Sequence, residues 1–336
     1  MGDEDNMSIR MEQIQPIIDR EYAYLMAEHA RWSLTKGDQD LELVAHALRV
    51  LLHMETVPQH PDEYLALVEC QHQDGGWGKM SSEKQSAAWV TAFCALMLIR
   101  GNLALKHPRI TESVRKCVRY FLETQKEDGK WSDPSWADLD AVSHPISFFD
   151  VLMALSPTVP TLVDAATMAK VKDSWRKGMA FMLERQAADG GWYDPEFHPT
   201  GVEITAHLIQ DSIVADMVLT DEFNVRNCCR KGVRKLLSVQ AADGSWDDEN
   251  VDHTMDCTRS IMLVCSILGT RAQCDPAIMR GLAWILKHKC EQGWPDFPGM
   301  ETNLERTCDG LDTLLKYQAY SRPETAAIVK LWGYAE

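Results

Sequence analysis

The chain has 336 residues, with 34 Lys and Arg against 50 Asp and Glu, a formal charge of −16; 25% of residues are charged and 45% hydrophobic. That balance excludes collagen-like and disordered chains, and the acidity argues against nucleic acid, which needs a basic face. No apolar run approaches the roughly 18 residues of a membrane span, and the acidic start MGDEDNMSIR is neither a secretory signal nor, with Asn6 where Ser or Thr is wanted, a myristoylation site, so a cytoplasmic protein is expected.

In chain order, EQIQPIIDREYAYLMA reads as a first amphipathic helix and LELVAHALRVLLHM as a first apolar one. Then a pattern repeats. Q-x-x-x-G-x-W occurs at Gln71–Trp77, Gln125–Trp131, Gln186–Trp192 and Gln240–Trp246, with a degenerate copy at Gln292–Trp294. A charged amphipathic helix runs into each copy, as in ITESVRKCVRYFLETQ, and Asp-Gly is expected to stop it with a left-handed glycine. A loop and a more apolar helix follow: AAWVTAFCALMLI, ISFFDVLMAL, ITAHLIQDSIVADMVL, CTRSIMLVCSIL and CDGLDTLLKY. Helices apolar all round must be buried, and amphipathic ones must face water. Six inner and six outer helices in two rings satisfy both, an all-α fold of the α/α barrel type occupying residues 1–336 as one domain. RPETAAIVKLW is expected to close the ring against the first helix. The repeat Trp is expected to cap a turn and pack between helices. Ten cysteines lie mostly in apolar helical stretches without C-x-x-C, and read as reduced, packed thiols.

The repeat resembles the QW motif of squalene–hopene and oxidosqualene cyclases, the class II terpene cyclases, whose broader superfamily includes protein prenyltransferase β subunits. In that family an Asp-x-Asp-Asp-Thr stretch opens an inner helix and its middle Asp protonates the substrate; here Asp138-Leu139-Asp140-Ala141-Val142 occupies the place. One repeat later, Glu203-Ile204-Thr205-Ala206-His207 matches a stretch whose His supports the acid. The resemblance implies Asp140 as proton donor, His207 as its partner, and Asp138 and Glu203 as supporting carboxylates. Ala141 and Val142 depart from the motif, and Pro145 threatens the regularity of the first turn.

Aligned on Thr205, Thr258 and Thr307, with Val142 in the same slot, four consecutive inner helices carry Asp140, Glu203, Asp256 and Glu305 two residues earlier, and His144, His207, Ser260 and Asp309 two later. A ring of acids with two His is thus expected at one mouth of an apolar hollow, where crowding and burial raise carboxyl pKa values and helix N-termini lower them. The competing reading makes Glu203 and Glu305 members of capping boxes with Thr200 and Thr302, and Asp138 and Asp252 N-caps. Candidate substrate contacts are His144, Glu305 and the aromatics Trp89, Trp136, Phe149, Tyr193, Phe197 and Trp294, with core packing as the rival role for Phe148 and Phe149.

The expected function is cyclisation of a small apolar isoprenoid by acid catalysis from Asp140. The alternatives are a Diels–Alder-type cycloaddition on the same fold, a zinc prenyltransferase β-like subunit using Asp252, His253, Asp256, Cys257 and Cys308, and a non-enzymatic helical scaffold. No organic cofactor and no metal are implied, and a homodimer is possible.

Overall fold

The computed structural model describes residues 9–55, 57–131, 133, 137–155 and 162–333. The inner helices are α2 (Leu41–Met54), α4 (Ala88–Leu105), α6 (Asp138–Leu155), α8 (Val202–Leu208) continued through a π turn (Ile209–Ile213) into α9 (Val214–Leu219), α11 (Val251–Leu268) and α13 (Leu304–Tyr320). They pack in the order α2, α4, α6, α8, α11, α13 and back to α2, a closed ring. Around it lie α1 (Met11–Ala27), α3 (Pro61–Glu69), α5 (Pro108–Thr124), α7 (Ala165–Leu183), α10 (Arg226–Val239) and α12 (Arg271–Lys287).

Patterning explains the two rings. Helix α5 buries one stripe, with Ile110, Val114, Cys117, Val118 and Phe121 facing inward. Helix α4 buries residues around its whole circumference, which only an inner position allows. By length and composition α4 would also suffice to cross a membrane, contrary to the sequence expectation; its apolar surface is instead mostly buried inside the ring. Helix α6 runs on through Pro145 without interruption.

The repeat residues make the same bonds in each unit. Gln71, Gln125, Gln186 and Gln240 each donate from Nε2 to the carbonyl of their own glycine and to a carbonyl of the next outer helix, those of Ser113, Ser174, Cys228 and Ala277. Each repeat Trp donates from its indole back to the end of the preceding outer helix, as Trp77 does to Leu67 and Trp192 to Met182. The helices stop at the Gln, which turns extended at Gln125 and Gln240, or just before it, with Cys70 and Glu184 as caps, and not at the glycine as expected. Asp-Gly instead closes the turn that follows, and its glycine touches the next outer helix. A Cβ on Gly190 (φ +96°) would stand 2.5 Å from the Lys231 carbonyl oxygen.

Two further expectations change. The C-terminal helix α14 (Thr325–Leu331) does not close the ring against α1; it packs on α11 and α13. It lies at the C-terminal ends of the inner helices, where the Leu331 carbonyl accepts from Arg100 Nη2 at 3.3 Å and lies 3.1 Å from His53 Nε2. Lys316 Nζ sits 3.8 Å from the Trp332 ring. Cys265 and Cys274, nine residues apart across the α11–α12 turn, are joined in a disulfide and are not free thiols.

The glycine contact gives a test. Gly190→Ala should cost about 2 kcal/mol or more, because positive φ and a backbone clash add. Gly269→Ala, also at positive φ (+69°) but with open space around its Cβ, should cost only about 1 kcal/mol. Urea unfolding of the two variants measures the difference; equal costs would remove the argument that this glycine contact fixes helix spacing.

Candidate functional site

The repeat geometry sets the register of the inner helices. Backbone N–H groups of Trp77, Trp192, Trp246 and Trp294 donate to Thr91, Thr205, Thr254 and Thr307. The equivalent of Thr205 on α11 is therefore Thr254, one turn before the expected Thr258. In the corrected register the outermost ring is Glu42, Trp89, Asp140, Glu203, Asp252 and Glu305. The ring below is His46, Phe93, His144, His207, Asp256 and Asp309, and all six of these line one cavity of about 110 Å³. Asp256 thus belongs beside the histidines and not in the rim of acids, where Asp252 takes its place.

Helix α6 brings Asp140 to the centre of the hydrogen bonding, but it is fully buried and does not face the cavity. Its Oδ2 lies 2.6 Å from His198 Nε2 and its Oδ1 3.3 Å from His207 Nδ1. Burial works against ionisation, but the two imidazole bonds outweigh it and hold the Asp140 pKa down at about 2. His207 Nε2 in turn lies 2.9 Å from Asp256 Oδ2. Burial opposes charge on His207, yet Asp256 and Asp140 raise its pKa well above the ordinary value, so it is an imidazolium between two carboxylates.

The network continues in both directions. Toward the loops, His198 Nδ1 is 2.9 Å from Glu203, Glu203 is 2.9 Å from His253 Nε2, and His253 Nδ1 is 2.6 Å from Asp247. Toward the far end, Asp256 pairs with Arg259, and Arg259 Nη1 lies 3.2 Å from Asp309 and 3.3 Å from Asp312. Asp309 also takes Arg49 at 2.8 Å and Arg306 at 2.6 Å. His144 stands apart. Its ring lies 4.6 Å from that of Phe93 and 6.2 Å from that of His207, it makes no hydrogen bond among the described residues, and burial lowers its pKa to about 4. It is a neutral imidazole in the cavity wall.

Several expected roles change. Asp138 is half-exposed and paired with Lys130 at 2.7 Å, away from the acid centre. The capping roles also fall. Glu203 bonds His198 and His253 in place of its own helix, Asn250 and Asn303 cap α11 and α13, and Asp252 pairs with Arg306 at 2.6 Å. Of the aromatics, Trp89 lines the cavity. Tyr193 and Phe197 are exposed, at 36% and 41%, because their loop lies outside the mouth. Phe149 packs in a cluster with Phe121, Trp131 and Phe148, and Trp294 bonds Ile285 beneath the α12–α13 turn. Trp136 lies outside the described residues.

The cavity is not the apolar hollow expected. Among the described residues Trp89 and Phe93 are the only apolar side chains in its wall; the remainder are ionisable apart from Gln210. A second cavity of about 60 Å³ continues below it, sharing His46, Phe93 and His144 and adding Leu96, Met97, Val151, Leu331 and Trp332. For metals, Cys257 and Cys308 are buried thiols whose pKa burial pushes up, and among the described residues they join no cluster of ligands, whereas Glu42, His46 and Glu305 do converge. Sequence reasoning missed His198. It sits in a loop without periodicity, and its only local signal is a His-Pro step shortly before α8.

Comparison with known proteins adds the following. A model of the A-macroglobulin TED domain family matches residues 46–193. Lanosterol synthase of Pneumocystis carinii is 20% identical over 286 residues, covering 70% of this chain and 36% of the relative. The chain therefore spans about a third of that relative's length. Among solved structures, the type II terpene cyclase MstE from Scytonema superposes with a TM-score of 0.62 at 11% identity, covering 92% of this chain and all of MstE. A polysaccharide lyase superposes equally well, with a TM-score of 0.62 at 11% identity over 95% of this chain and 97% of its own. Among these solved structures the shared feature is the fold, an α/α toroid that the chain has in common with a type II terpene cyclase and a polysaccharide lyase.

The network predicts a pH signature. A raised imidazole pKa adds stability below the unfolded value of about 6.5 and loses it as pH rises through the folded value, about 9 for His198. The lowered Asp140 acts at the other edge, contributing above about 4 and losing its contribution as pH falls toward 2. The melting-temperature gap between the native protein and His198→Gln should therefore be widest near pH 6 and shrink by about pH 9. A gap independent of pH would show that His198 is not charged in the fold.

Proposed function

We propose that the protein is an enzyme that cyclises an isoprenoid substrate by acid catalysis from the Asp140–His207 pair. The observation that carries this reading is a buried Asp140 bonded to two imidazoles on an inner helix of a terpene cyclase-like toroid. MstE has been captured with geranylgeranyl dihydroxybenzoate as its substrate, which supports an isoprenoid of comparable kind here.

The polar wall narrows the chemistry. An imidazolium is too weak an acid for a bare alkene but suits an oxygen, so the proton goes to an epoxide or carbonyl oxygen at one end of the substrate. That oxygen takes the place of Asp256 at His207 Nε2, while Asp140 holds Nδ1 and fixes the ring. Electrons of a neighbouring C=C attack the carbon that bears the protonated oxygen as its C–O bond (the π bond of a carbonyl) breaks to leave a hydroxyl, and the resulting cation loses a C–H proton to the neutral His144. The hydrocarbon occupies the lower, more apolar cavity. The open volume is below the several hundred Å³ usual for ligand sites, so Leu331 and Trp332 must move to admit it.

A second reading, cycloaddition, is favoured by one observation: the ionised Asp140 holds His207 as a charged donor, which can hydrogen-bond a carbonyl oxygen without giving up its proton. One variant separates them. With a panel of isoprenoid epoxides and carbonyl compounds, geranylgeranyl dihydroxybenzoate included, Asp140→Asn should lose about 10²- to 10⁴-fold in turnover if a proton is transferred. A loss below about tenfold in a folded variant would move the reading to cycloaddition. Failure of the native protein to bind or convert any member of the panel would overturn the terpenoid reading.

A further inference from the structure

We infer that the Cys265–Cys274 disulfide is a redox latch on the C-terminal helix: α14 stays closed over the lower cavity while the bond is intact and is released when a dithiol reductant cleaves it. Leu331 and Trp332, at the end of α14, form part of the wall of that cavity, so whatever holds α14 controls access to it. The latch concerns entry alone and stands apart from the proposed cyclisation.

The contacts that hold the base of α14 converge on the α11–α12 turn. Cys265 lies in the last turn of α11 and Cys274 in the first turn of α12, with Ser266 and Arg271 between them. Arg271 Nη1 donates to the Tyr320 carbonyl at 2.9 Å and to the Arg322 carbonyl at 2.7 Å, so it grips both the end of α13 and the linker to α14. Its guanidinium also covers the Tyr320 ring, 4.7 Å from the centroid. Asp275, beside Cys274, accepts from the Tyr320 hydroxyl. Ser266 takes the first residue of α14: its carbonyl accepts from Thr325 Oγ1 at 3.4 Å, and its hydroxyl accepts from Arg271 Nε at 3.2 Å.

Two features make the bond a switch in place of a fixed brace. The eight other cysteines are free, and one bridge among free thiols is the pattern of a redox-responsive pair, not of a disulfide framework. Thr270, which precedes α12, makes no side-chain cap bond, and an uncapped first turn opens more readily. That opening brings the Cys274 sulfur within reach of a thiolate. The thiolate attacks Cys274 Sγ, and Cys265 leaves as a thiolate and takes up a proton. The reductant's second thiol then displaces Cys274, so two electrons pass from the dithiol, which ends as its own disulfide. Without the crosslink the turn is held by packing alone. Arg271 and Ser266 then separate more often, and the base of α14 goes with them.

Amide hydrogen exchange read by mass spectrometry tests this on the native chain with and without dithiothreitol. Alkylation of the unfolded chain defines the two states: eight cysteines should react before reduction and all ten after it. The amides of α14 should exchange about fivefold faster or more in the reduced protein, while those of α5 keep their rate. Cys265→Ala combined with Cys274→Ala should match the reduced protein in either condition. Arg271→Met should raise α14 exchange with the disulfide intact. The reduced native chain carries the test should the double variant fail to fold. The inference is overturned if ten cysteines react before reduction, if α14 exchanges equally in both states, if α5 accelerates along with it, or if Arg271→Met leaves α14 as protected as before.

Discussion

A carboxylate buried in protein must find a partner or lose its charge. In this toroid the partners lie across helix boundaries. Asp140 of α6 meets His207 of α8, His207 meets Asp256 of α11, Arg259 of α11 meets Asp309 and Asp312 of α13, and Asp309 meets Arg49 of α2. Five of the six inner helices are tied in sequence by one chain of alternating charge, and α4 fills its place at that level with Phe93. Breaking a single link leaves an unpaired charge that is costly in a dry interior. The position of each acid and base is thus set by the closure of the ring and not by its own helix alone.

The Gln and Trp bonds do complementary work on the outside. Each repeat Gln spans two neighbouring outer helices, and each repeat Trp ties the turn to the helix before it. The outer bonds fix the distance between units, and the charge chain fixes what the units present inward. A polysaccharide lyase with the same toroid shows that the outer frame does not choose the chemistry. The inner residues do, and here they give a mouth rich in acids above a smaller, greasier chamber closed by the C-terminal helix.

Much of the frame could be read from the chain because it repeats. Gln, Gly and Trp recur with an apolar helix after each copy, and burial follows from that alternation. The pairing of Asp140 with His207 was legible through the resemblance to the cyclase motif. The place of Asp256 was not, because α11 carries threonines at both 254 and 258. Its repeat Trp reaches the slot threonine in 8 residues where two other repeats use 13. A shortened loop moves the helix by a turn, and nothing in local composition marks which threonine binds. His198 escaped for a different reason: it acts from a loop, where no periodicity assigns a facing direction. The aromatic residues near the loops were misplaced by the same limit. Tyr193 and Phe197 sit outside the mouth, while Phe149 packs into the wall.

The π turn at Ile209–Ile213 inserts one residue more per turn than an α-helix holds. That surplus widens the turn so that two successive side chains, Gln210 and Asp211, both reach the hollow, and Gln210 donates to Asp256 at 3.1 Å. An unbroken α-helix sets neighbouring residues about 100° apart, and only at the start of α13 do two other successive residues, Glu305 and Arg306, border the same hollow among the described residues. The widened coil thus sets an amide beside a carboxylate in the polar wall at the depth of Asp256.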